Sequence, residues 1–389
     1  MVPRLLIVLA LLTAPALADR VPLTKGERNL DTAAGWALFK RPWISSPSSL
    51  EAGGGLGPLY DARACNECHT GGGAGTVAEG ALGAGMVVRV GDDTAGADPT
   101  YGRQLQTHAL PGFVPEADIS FLWSTEGGLR APKLGSPAFH YGAPATATHL
   151  ALRRAPSLFG IGQLESVPDS EILKGSGKPA WLTGADGKRE LGRWGWKATA
   201  SGLPRQVEIA FQRDFGIATS GLPGAAGECT ARETPCYGTP GPAIELPDNF
   251  RDVIVIFLRY LHAPDPRDEK APGFALFRQT GCLSCHAVLH DAKGEAVHAY
   301  SDLMLHDLGP ALADGIADGA AKPSEWRTAP LWDLGENLAR GGLLHDGRAR
   351  SIAEAVEWHG GEASQSRAAF KSLSPEKRKM IEDFLLGSP

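Results

Sequence analysis

The sequence predicts a mainly α-helical protein in which two related units follow one another. A short pattern occurs twice, as GWALF at residues 35–39 and as GFALF at residues 273–277, and a Cys-x-x-Cys-His motif follows each copy. Each copy then closes with a segment, 249–261 or 375–386, whose apolar residues recur at three- and four-residue spacing. Because that spacing gives a helix one buried face, we expect a packed helix at the end of each unit.

The two Cys-x-x-Cys-His motifs predict covalent haem. They consist of Cys65, Cys68 and His69 in the first unit and of Cys282, Cys285 and His286 in the second. The two thiols of such a motif add to the haem vinyl groups, and the adjacent histidine binds the iron. Zinc or disulfide sites are the alternative, but they leave both histidines without a role. We therefore predict two covalent haem c groups, with His69 and His286 as iron ligands.

A short helix, a haem motif and a closing helix form the plan of a class I cytochrome c domain. We predict two cytochrome-c-like haem domains in tandem, over residues 19–262 and 263–389, because prolines 264 and 266 disfavour helix before them. The first domain carries a large loop-rich insertion with some β structure, including strand-like pieces at 86–90 and 207–211. A separate third domain is the alternative, but no Ser/Gly linker isolates it.

The N-terminus and the composition indicate an exported protein. A positive start at Arg4, an apolar run over residues 5–12 and the small residues ALA at 16–18 predict a signal peptide over residues 1–18. A periplasmic or otherwise exported location is expected, with a retained N-terminal anchor as the alternative. The apolar run is too short to span a bilayer. The rest of the sequence has no long apolar stretch, so we expect no transmembrane span in the mature chain. The net charge of −6 argues against a nucleic-acid partner.

Two of the six cysteines, Cys229 and Cys236, lie outside the haem motifs. In an oxidising compartment they are expected to form a local disulfide. A metal site is the alternative, although no histidine lies close to them in sequence.

Longer motifs resemble a family of di-haem enzymes. The segments LHDGRA at 344–349 and IAEAV at 352–356, followed by His359, are similar to the C-terminal unit of bacterial di-haem cytochrome c peroxidases and MauG-type enzymes. The segments GPLYDARA at 57–64, RAPSLFGIGQLE at 154–165, GRWGWK at 192–197 and YSDLMLHDLGP at 300–310 extend the resemblance over nearly the whole mature chain. Together they resemble the di-haem oxidoreductase family, also called thiol oxidoreductase-like or peroxidase-like.

The resemblance implies a sixth iron ligand at the C-terminal haem. In the relatives, a methionine or a tyrosine occupies the place of His359. A histidine there implies an iron held by His286 and His359, which lowers the reduction potential relative to a methionine ligand. The alternative is a surface histidine before two glycines.

At the N-terminal haem, the resemblance implies an open sixth position with a glutamine and a glutamate nearby. We assign Gln104 and Glu116 as catalytic residues, because cleavage of a peroxide moves a proton from one oxygen to the other and a nearby amide or carboxylate assists. Two solvated loop residues are the alternative. Met86 and His108 are rival ligands that would close the position.

One further assignment follows from the same resemblance. The stretch TAP at 328–330 resembles one that helps to bind calcium between the haems, so Thr328 and Pro330 are assigned to one calcium ion, although a longer segment here separates them from His345. Four tryptophans are candidates for an electron relay or for ordinary core packing: Trp194, Trp196, Trp326 and Trp332.

The implied function is that of an exported di-haem c-type cytochrome oxidoreductase of the peroxidase type. Electrons would enter at the C-terminal haem from a redox partner such as a small cytochrome or a copper protein. Hydrogen peroxide or another small oxidant would react at the N-terminal haem. Two alternatives remain open: a non-catalytic electron-transfer cytochrome, and MauG-like oxidation of a partner protein.

Overall fold

A computed structural model describes residues 30–45, 54–224 and 226–387, so the predicted signal peptide over residues 1–18 lies outside the described residues. In these ranges the helices are α1 (Leu30–Lys40), α2 (Cys65–Cys68), α3 (Ile161–Glu165), α4 (Asp169–Ile172), α5 (Leu203–Phe215), α6 (Thr234–Tyr237), α7 (Asp248–Arg259), α8 (Pro272–Gln279), α9 (Leu334–Ala339), α10 (Ile352–Trp358), α11 (Ser364–Ser372) and α12 (Pro375–Leu386).

The strands are mostly short, from two to seven residues. They are β1 (Leu59–Tyr60), β2 (Gly80–Ala81), β3 (Met86–Gly91), β4 (Gln104–Leu105), β5 (His108–Ala109), β6 (Ala117–Asp118), β7 (Ser120–Glu126), β8 (Leu129–Leu134), β9 (Ala138–Phe139), β10 (His149–Arg154), β11 (Ala180–Thr183), β12 (Arg189–Gly192), β13 (Leu289–His290), β14 (Ala296–Val297), β15 (Leu305–Asp307) and β16 (Glu325–Arg327).

The prediction of a mainly α-helical protein is wrong. Among the described residues, helices account for 30% and strands for 19%. The strands form small antiparallel sheets in both halves: β3 pairs with β10 and β4, β7 with β8 and β2, and, towards the C-terminus, β13 with β14 and β15 with β16. Strands this short carry too few residues for a period of two to be recognised in the sequence.

Two strand-like pieces of the insertion have different outcomes. The piece at 86–90 is confirmed as part of β3, whose register places Met86 opposite Arg154 of β10. The prediction of a strand at 207–211 is wrong, because these residues lie inside helix α5. Leu203, Val207, Phe211 and Phe215 recur every four residues and are buried on one face of that helix.

The internal repeat recurs in the packing of two helix pairs. Helix α1 packs on the closing helix α7, and α8 packs on the closing helix α12. In each pair a glycine lets the backbones approach closely: a Cβ at Gly35 would lie 2.1 Å from the carbonyl oxygen of Val253, and one at Gly273 would lie 2.0 Å from that of Met380. The predicted closing helices are therefore confirmed, and the same contact holds both pairs together.

Two large apolar cores fill the molecule, and each takes residues from both halves of the chain. The first core includes residues of α5 and α7 together with Met304 and Trp332, and the second includes residues of α10 and α12 together with Ala131. The division of the chain at residue 263 stays a prediction. The predicted disulfide Cys229–Cys236 is confirmed, with Cα atoms 6.0 Å apart. No helix in the described ranges combines the length and the apolarity that a membrane crossing requires.

The close helix contacts give a stability prediction. We expect Gly35→Ala and Gly273→Ala each to lower the free energy of unfolding by about 1–3 kcal/mol, because the added methyl group would overlap a backbone carbonyl. The control is Gly335→Ala in α9, where a Cβ would meet nothing within 4 Å. Denaturant unfolding of the three variants tests the prediction, and equal effects at all three glycines would contradict it.

Candidate functional site

Both Cys-x-x-Cys-His motifs open onto one cavity of about 480 Å³. The lining includes the four free thiols and two imidazoles of the motifs: Cys65, Cys68, His69, Cys282, Cys285 and His286. Apolar side chains from α1, α5, α7 and α10 form much of the remaining wall. An elongated, largely apolar space with a thiol pair and an imidazole at each of two places matches the donor set of two covalently bound haems.

The first motif is a single helical turn, α2, closed by the His69 amide, which donates to the Cys65 carbonyl at 2.8 Å. This turn brings both thiols and the imidazole to one side of the backbone. Burial and the nearby Asp214 raise the pKa of the Cys65 thiol to about 12, and burial lowers the pKa of His69 to about 4. The imidazole is therefore neutral near pH 7, which is the form that binds iron.

The second motif is a 3-10 turn over Cys282–Ser284, closed by the His286 amide, which donates to Cys282. The Nδ1 atom of His286 donates to the carbonyl of Tyr300 at 2.9 Å. Burial, and to a smaller extent repulsion from His359, lower the pKa of His286 to about 4. Because a carbonyl can only accept, the proton is fixed on Nδ1 and the lone pair on Nε2.

His359 repeats this arrangement at the C-terminal end of α10. Its Nδ1 atom donates to the carbonyl of Ala355 at 2.6 Å, it lines the same cavity, and burial lowers its pKa. A metal-bound histidine commonly donates its second ring N–H to a carbonyl, which orients the ring and fixes the tautomer. His286 and His359 both have that second-nitrogen bond, so each has an Nε2 free to bind iron.

Gln104 lies in β4 on the wall of the cavity and is 2% exposed. Its amide nitrogen donates to Asp61 Oδ2 at 2.9 Å and to Asp214 Oδ1 at 2.8 Å, and its amide oxygen accepts from Arg89 at 3.2 Å. Both amide hydrogens and the amide oxygen are therefore engaged, and the side chain has a fixed orientation.

Glu116 is buried behind this wall and is not among the residues that line the cavity. It lies beside Glu233, and burial, followed by the charge of Glu233, raises its pKa well above the usual range. The Gln106 amide donates to Glu116 Oε2 at 2.6 Å, and the Gln106 side chain donates to the Gln104 carbonyl. Gln106 thus links the two predicted catalytic residues by hydrogen bonds.

Two rival iron ligands, Met86 and His108, and two predicted calcium-binding residues, Thr328 and Pro330, remain to be located. Met86 is buried in the sheet core, and His108 is exposed and stacks on Tyr60; neither lines the cavity. Thr328 and Pro330 line the cavity, but the Thr328 carbonyl already accepts from Ser301 Oγ and from an arginine. In the described part of the chain, no group of three or more His, Cys, Asp or Glu side chains could hold a metal. The calcium ion stays a prediction.

A family model described as "Di-haem oxidoreductase, putative peroxidase" matches residues 146–387. The chain belongs to the di-haem oxidoreductase family. The match includes the second Cys-x-x-Cys-His motif, whereas the first precedes it. The family implies two haems in this oxidoreductase.

Other comparisons add little. None of the curated proteins matches the chain. A solved structure of Kuenenia stuttgartiensis hydrazine synthase pressurised with xenon is 14% identical, with 100% of each chain covered and a TM-score of 0.37. A likeness this weak supports no conclusion about the function of the oxidoreductase.

Asp214 and Asp61 are residues of the oxidoreductase site that the sequence did not reveal. Asp214, in the last turn of α5, lines the cavity, and its Oδ2 atom accepts no hydrogen bond from a described residue. Burial raises the pKa of Asp214, and it raises that of Asp61 to about 7. The sequence did contain a signal for Asp214. Gly216 is a helix C-cap, which puts Asp214 in the last turn of a helix, where a carboxylate is unfavourable.

A buried ionic network lies at the cavity wall. Arg153 bonds to Asp314 at 2.8 Å and to Asp318 at 3.0 Å, and Arg89 reaches Asp318 at 3.4 Å. Burial alone would raise the pKa of Asp318, but attraction by Arg89 and Arg153 outweighs it and holds this pKa well below the usual range. Arg89, Arg153 and Asp318 of this network line the cavity, so part of its wall is charged.

Four tryptophans line the cavity, and one is enclosed by charged and aromatic groups. Trp326 stacks on His345 with ring centroids 3.8 Å apart, and the Lys197 ammonium lies 3.6 Å from its ring centroid. Burial lowers the pKa of Lys197 to about 7. All four sequence candidates, Trp194, Trp196, Trp326 and Trp332, thus meet at this wall.

The ionic network predicts a pH-dependent stability. A carboxyl group with a lowered folded-state pKa stabilises the protein above the usual carboxyl range, and this contribution is lost as the pH falls. We expect Asp318→Asn to lower the free energy of unfolding by roughly 3–5 kcal/mol at pH 7, because it leaves the buried Arg89 without a counter-charge and Arg153 with Asp314 alone.

The difference between the wild type and Asp318→Asn should shrink as the pH falls below about 4. In that range the unfolded wild type takes up a proton on this carboxyl, whereas the folded protein, with its lower pKa, does not. Urea unfolding across this pH range measures the difference. Asp186→Asn, at an exposed pair with Lys188, is the control and should change little. A difference that stays the same at pH 7 and pH 3 would contradict the prediction.

Proposed function

We propose that the chain is an exported oxidoreductase of the peroxidase type that carries two covalent haem c groups, one in each of two domains, 19–262 and 263–389. The supporting observation is the single cavity that receives both Cys-x-x-Cys-His motifs. His69 and His286 are the proposed proximal ligands. When bound, the haems supply electron storage and the iron that reacts with an oxidant.

The two motifs differ in the side chains that could close the sixth iron position. His359 accompanies His286 with its Nδ1–H bound and its Nε2 free. In the described ranges no methionine and no tyrosine lines the cavity. His345 is stacked on Trp326, and His306 is held by Asp302 and Glu362. We therefore assign the electron-accepting role to the C-terminal site and the reaction with hydrogen peroxide to the N-terminal site.

Proton transfer at the N-terminal site is assigned to the polar wall beside α5. Cleavage of a peroxide needs a proton at the departing oxygen. Asp214 can hold this proton, because burial raises its pKa and its Oδ2 atom is unbonded, while Gln104 fixes its Oδ1 atom. Glu116, the carboxylate assigned from sequence, remains the second candidate, acting through Gln106.

The electron donor is proposed to be a small cytochrome or a copper protein that reaches the C-terminal haem. Oxidation of a partner protein is the second candidate function, and the four tryptophans on the cavity wall favour it, because an indole can carry an oxidising equivalent away from iron. A purely electron-transferring cytochrome would need a second ligand at the N-terminal haem, and neither Met86 nor His108 lines the cavity.

Peroxide turnover tests the proposed reaction. The haem-loaded protein should oxidise a reduced small cytochrome in the presence of hydrogen peroxide. Asp214→Asn should lower the rate by roughly 10²-fold or more, the usual size of an acid–base contribution, and leave the KM for the cytochrome unchanged.

Glu116→Gln is the matched carboxyl-to-amide control for this measurement, because Glu116 is buried but does not line the cavity. Its rate should stay within a few-fold of the wild type. A larger loss from Glu116→Gln than from Asp214→Asn would reverse the assignment. Absence of peroxide turnover in the wild type would remove the peroxidase proposal.

The second ligand of the C-terminal haem is tested by replacing His359. His359→Ala should convert one low-spin haem into a high-spin haem, and His359→Met should raise the reduction potential of that haem. The control is His290→Ala, at an exposed histidine paired with Glu171. Optical spectra and redox titration provide the measurement. Unchanged spectra and potentials in both His359 variants would exclude His359 as a ligand.

A further inference from the structure

Two buried arginines on the cavity wall form no ion pair with a described carboxylate. Arg154 is 3% exposed and Arg327 is 6% exposed, and both line the cavity. Burial lowers the pKa of each to about 10. A buried cation without a counter-charge is costly, so a site that retains two of them indicates an anion supplied from outside the polypeptide.

The partners of these arginines are backbone carbonyls. Arg154 donates to Gly75, Asn337 and Gly342, and Arg327 donates to Gly195 and Thr328. A guanidinium has five N–H donors. Nη2 of Arg327 donates to no described residue. The carbonyls therefore hold both guanidinium groups in place and leave N–H groups available.

The negative charge of Asp302 raises the pKa of Arg327, although the two side chains form no ion pair. Asp302 is already bonded to His306 at 2.8 Å and to the Met304 amide at 3.0 Å. Asp302 therefore does not provide Arg327 with a bonded counter-ion.

Other arginines on the same wall show that the chain can provide counter-ions. Arg153 and Arg89 are as deeply buried, but they bond to Asp314 and Asp318. Over the whole lining, seven side chains are Arg or Lys and three are Asp or Glu. The cavity thus has an excess of cationic groups, to which Arg154 and Arg327 contribute.

The two arginines lie towards different motifs and are joined by one residue. Arg154 bonds to Gly75, in the segment that follows the first motif. Arg327 lies near Asp302, whose amide donates to the Cys285 carbonyl of the second motif. Between them, Trp196 Nε1 donates to the Arg154 carbonyl at 2.6 Å, and the Arg327 amide donates to the Trp196 carbonyl at 3.0 Å.

We propose that Arg154 and Arg327 are carboxylate-binding residues for the haem propionates, with Arg154 serving the N-terminal haem and Arg327 the C-terminal haem. The proposal rests on the two haems of the proposed function. An arginine binds a carboxylate through two parallel N–H groups in a geometry that lysine cannot reproduce. The propionates provide the missing negative charge, and the arginines fix the propionate edge of each haem near the middle of the cavity.

The pairing has an electrostatic consequence. An arginine beside a propionate offsets negative charge close to the iron and so favours the reduced haem. Loss of the arginine leaves the propionate uncompensated and favours the oxidised haem. Each arginine should therefore control the reduction potential of its own haem.

The test is a spectroelectrochemical titration of the full-length, haem-loaded protein and its Arg154→Gln and Arg327→Gln variants. At a fixed ambient potential, each variant should lower the ratio of reduced to oxidised haem about tenfold at one haem only. This corresponds to a fall of about 59 mV in the reduction potential of a one-electron couple. The two variants should affect different haems. The control is Arg130→Gln, because Arg130 also donates to three carbonyls but does not line the cavity; it should shift neither haem.

Variants that retain the charge keep the test informative if the glutamine variants fail to fold. Arg154→Lys and Arg327→Lys should each hold two haems, with the propionate-bending band of one haem shifted in the resonance Raman spectrum. Two-haem variants with wild-type potentials and wild-type Raman bands, or an equal shift in Arg130→Gln, would overturn the inference. A wild-type protein without covalent haem would instead overturn the proposed function.

Discussion

One constraint orders the whole structure: two distant motifs must open onto the same buried cavity. Each motif is a single turn that places two thiols and an imidazole on one side of the backbone. The α1–α7 and α8–α12 pairs are held at close range by a glycine in the first helix of each pair. Elements from both halves of the chain then contribute to both cores. Strands β3, β4 and β10, from the segment between the motifs, contribute side chains to the cavity wall.

The cavity has a simple electrostatic pattern that suits two bound redox groups. Burial keeps the motif imidazoles neutral, so their Nε2 atoms are available as ligands. The cavity wall carries arginines, a lysine and buried aspartates. Buried charges on such a wall are costly for an empty protein. The cost is offset where carboxylates of the chain pair with the arginines, and the remaining cations favour an anionic ligand.

Local patterns were predictable from sequence, and long-range ones were not. The two motifs, the closing helices, the disulfide and the strand at 86–90 each rest on residues close together in the chain, so their spacing was sufficient. The small sheets escaped prediction because their strands are mostly very short and pair across long intervals, as β3 does with β10. Helix α5 was misassigned because a five-residue window shows alternation where the full helix shows a four-residue period.

The same limit applies to the site. His359 follows a recognisable segment, and the cavity contains it. Gln104 also lines the cavity, but its position beside Asp214 depends on how β4 meets the end of α5, which no local pattern specifies. Glu116 has the residue type expected of an acid–base group, yet the fold buries it next to Glu233. Arg154 and Arg327 could not be distinguished from other arginines until their partners were known to be carbonyls.

The central claim is that the two haems differ in coordination, with an open position at the first and two histidines at the second. Electron paramagnetic resonance of the wild-type, haem-loaded protein, oxidised and half-reduced, with and without hydrogen peroxide, tests it most directly. We expect one low-spin signal of bis-histidine type and one high-spin signal, present in at least one redox state, that changes when peroxide is added. Two low-spin haems that are inert to peroxide in both redox states would contradict the claim and leave an electron carrier.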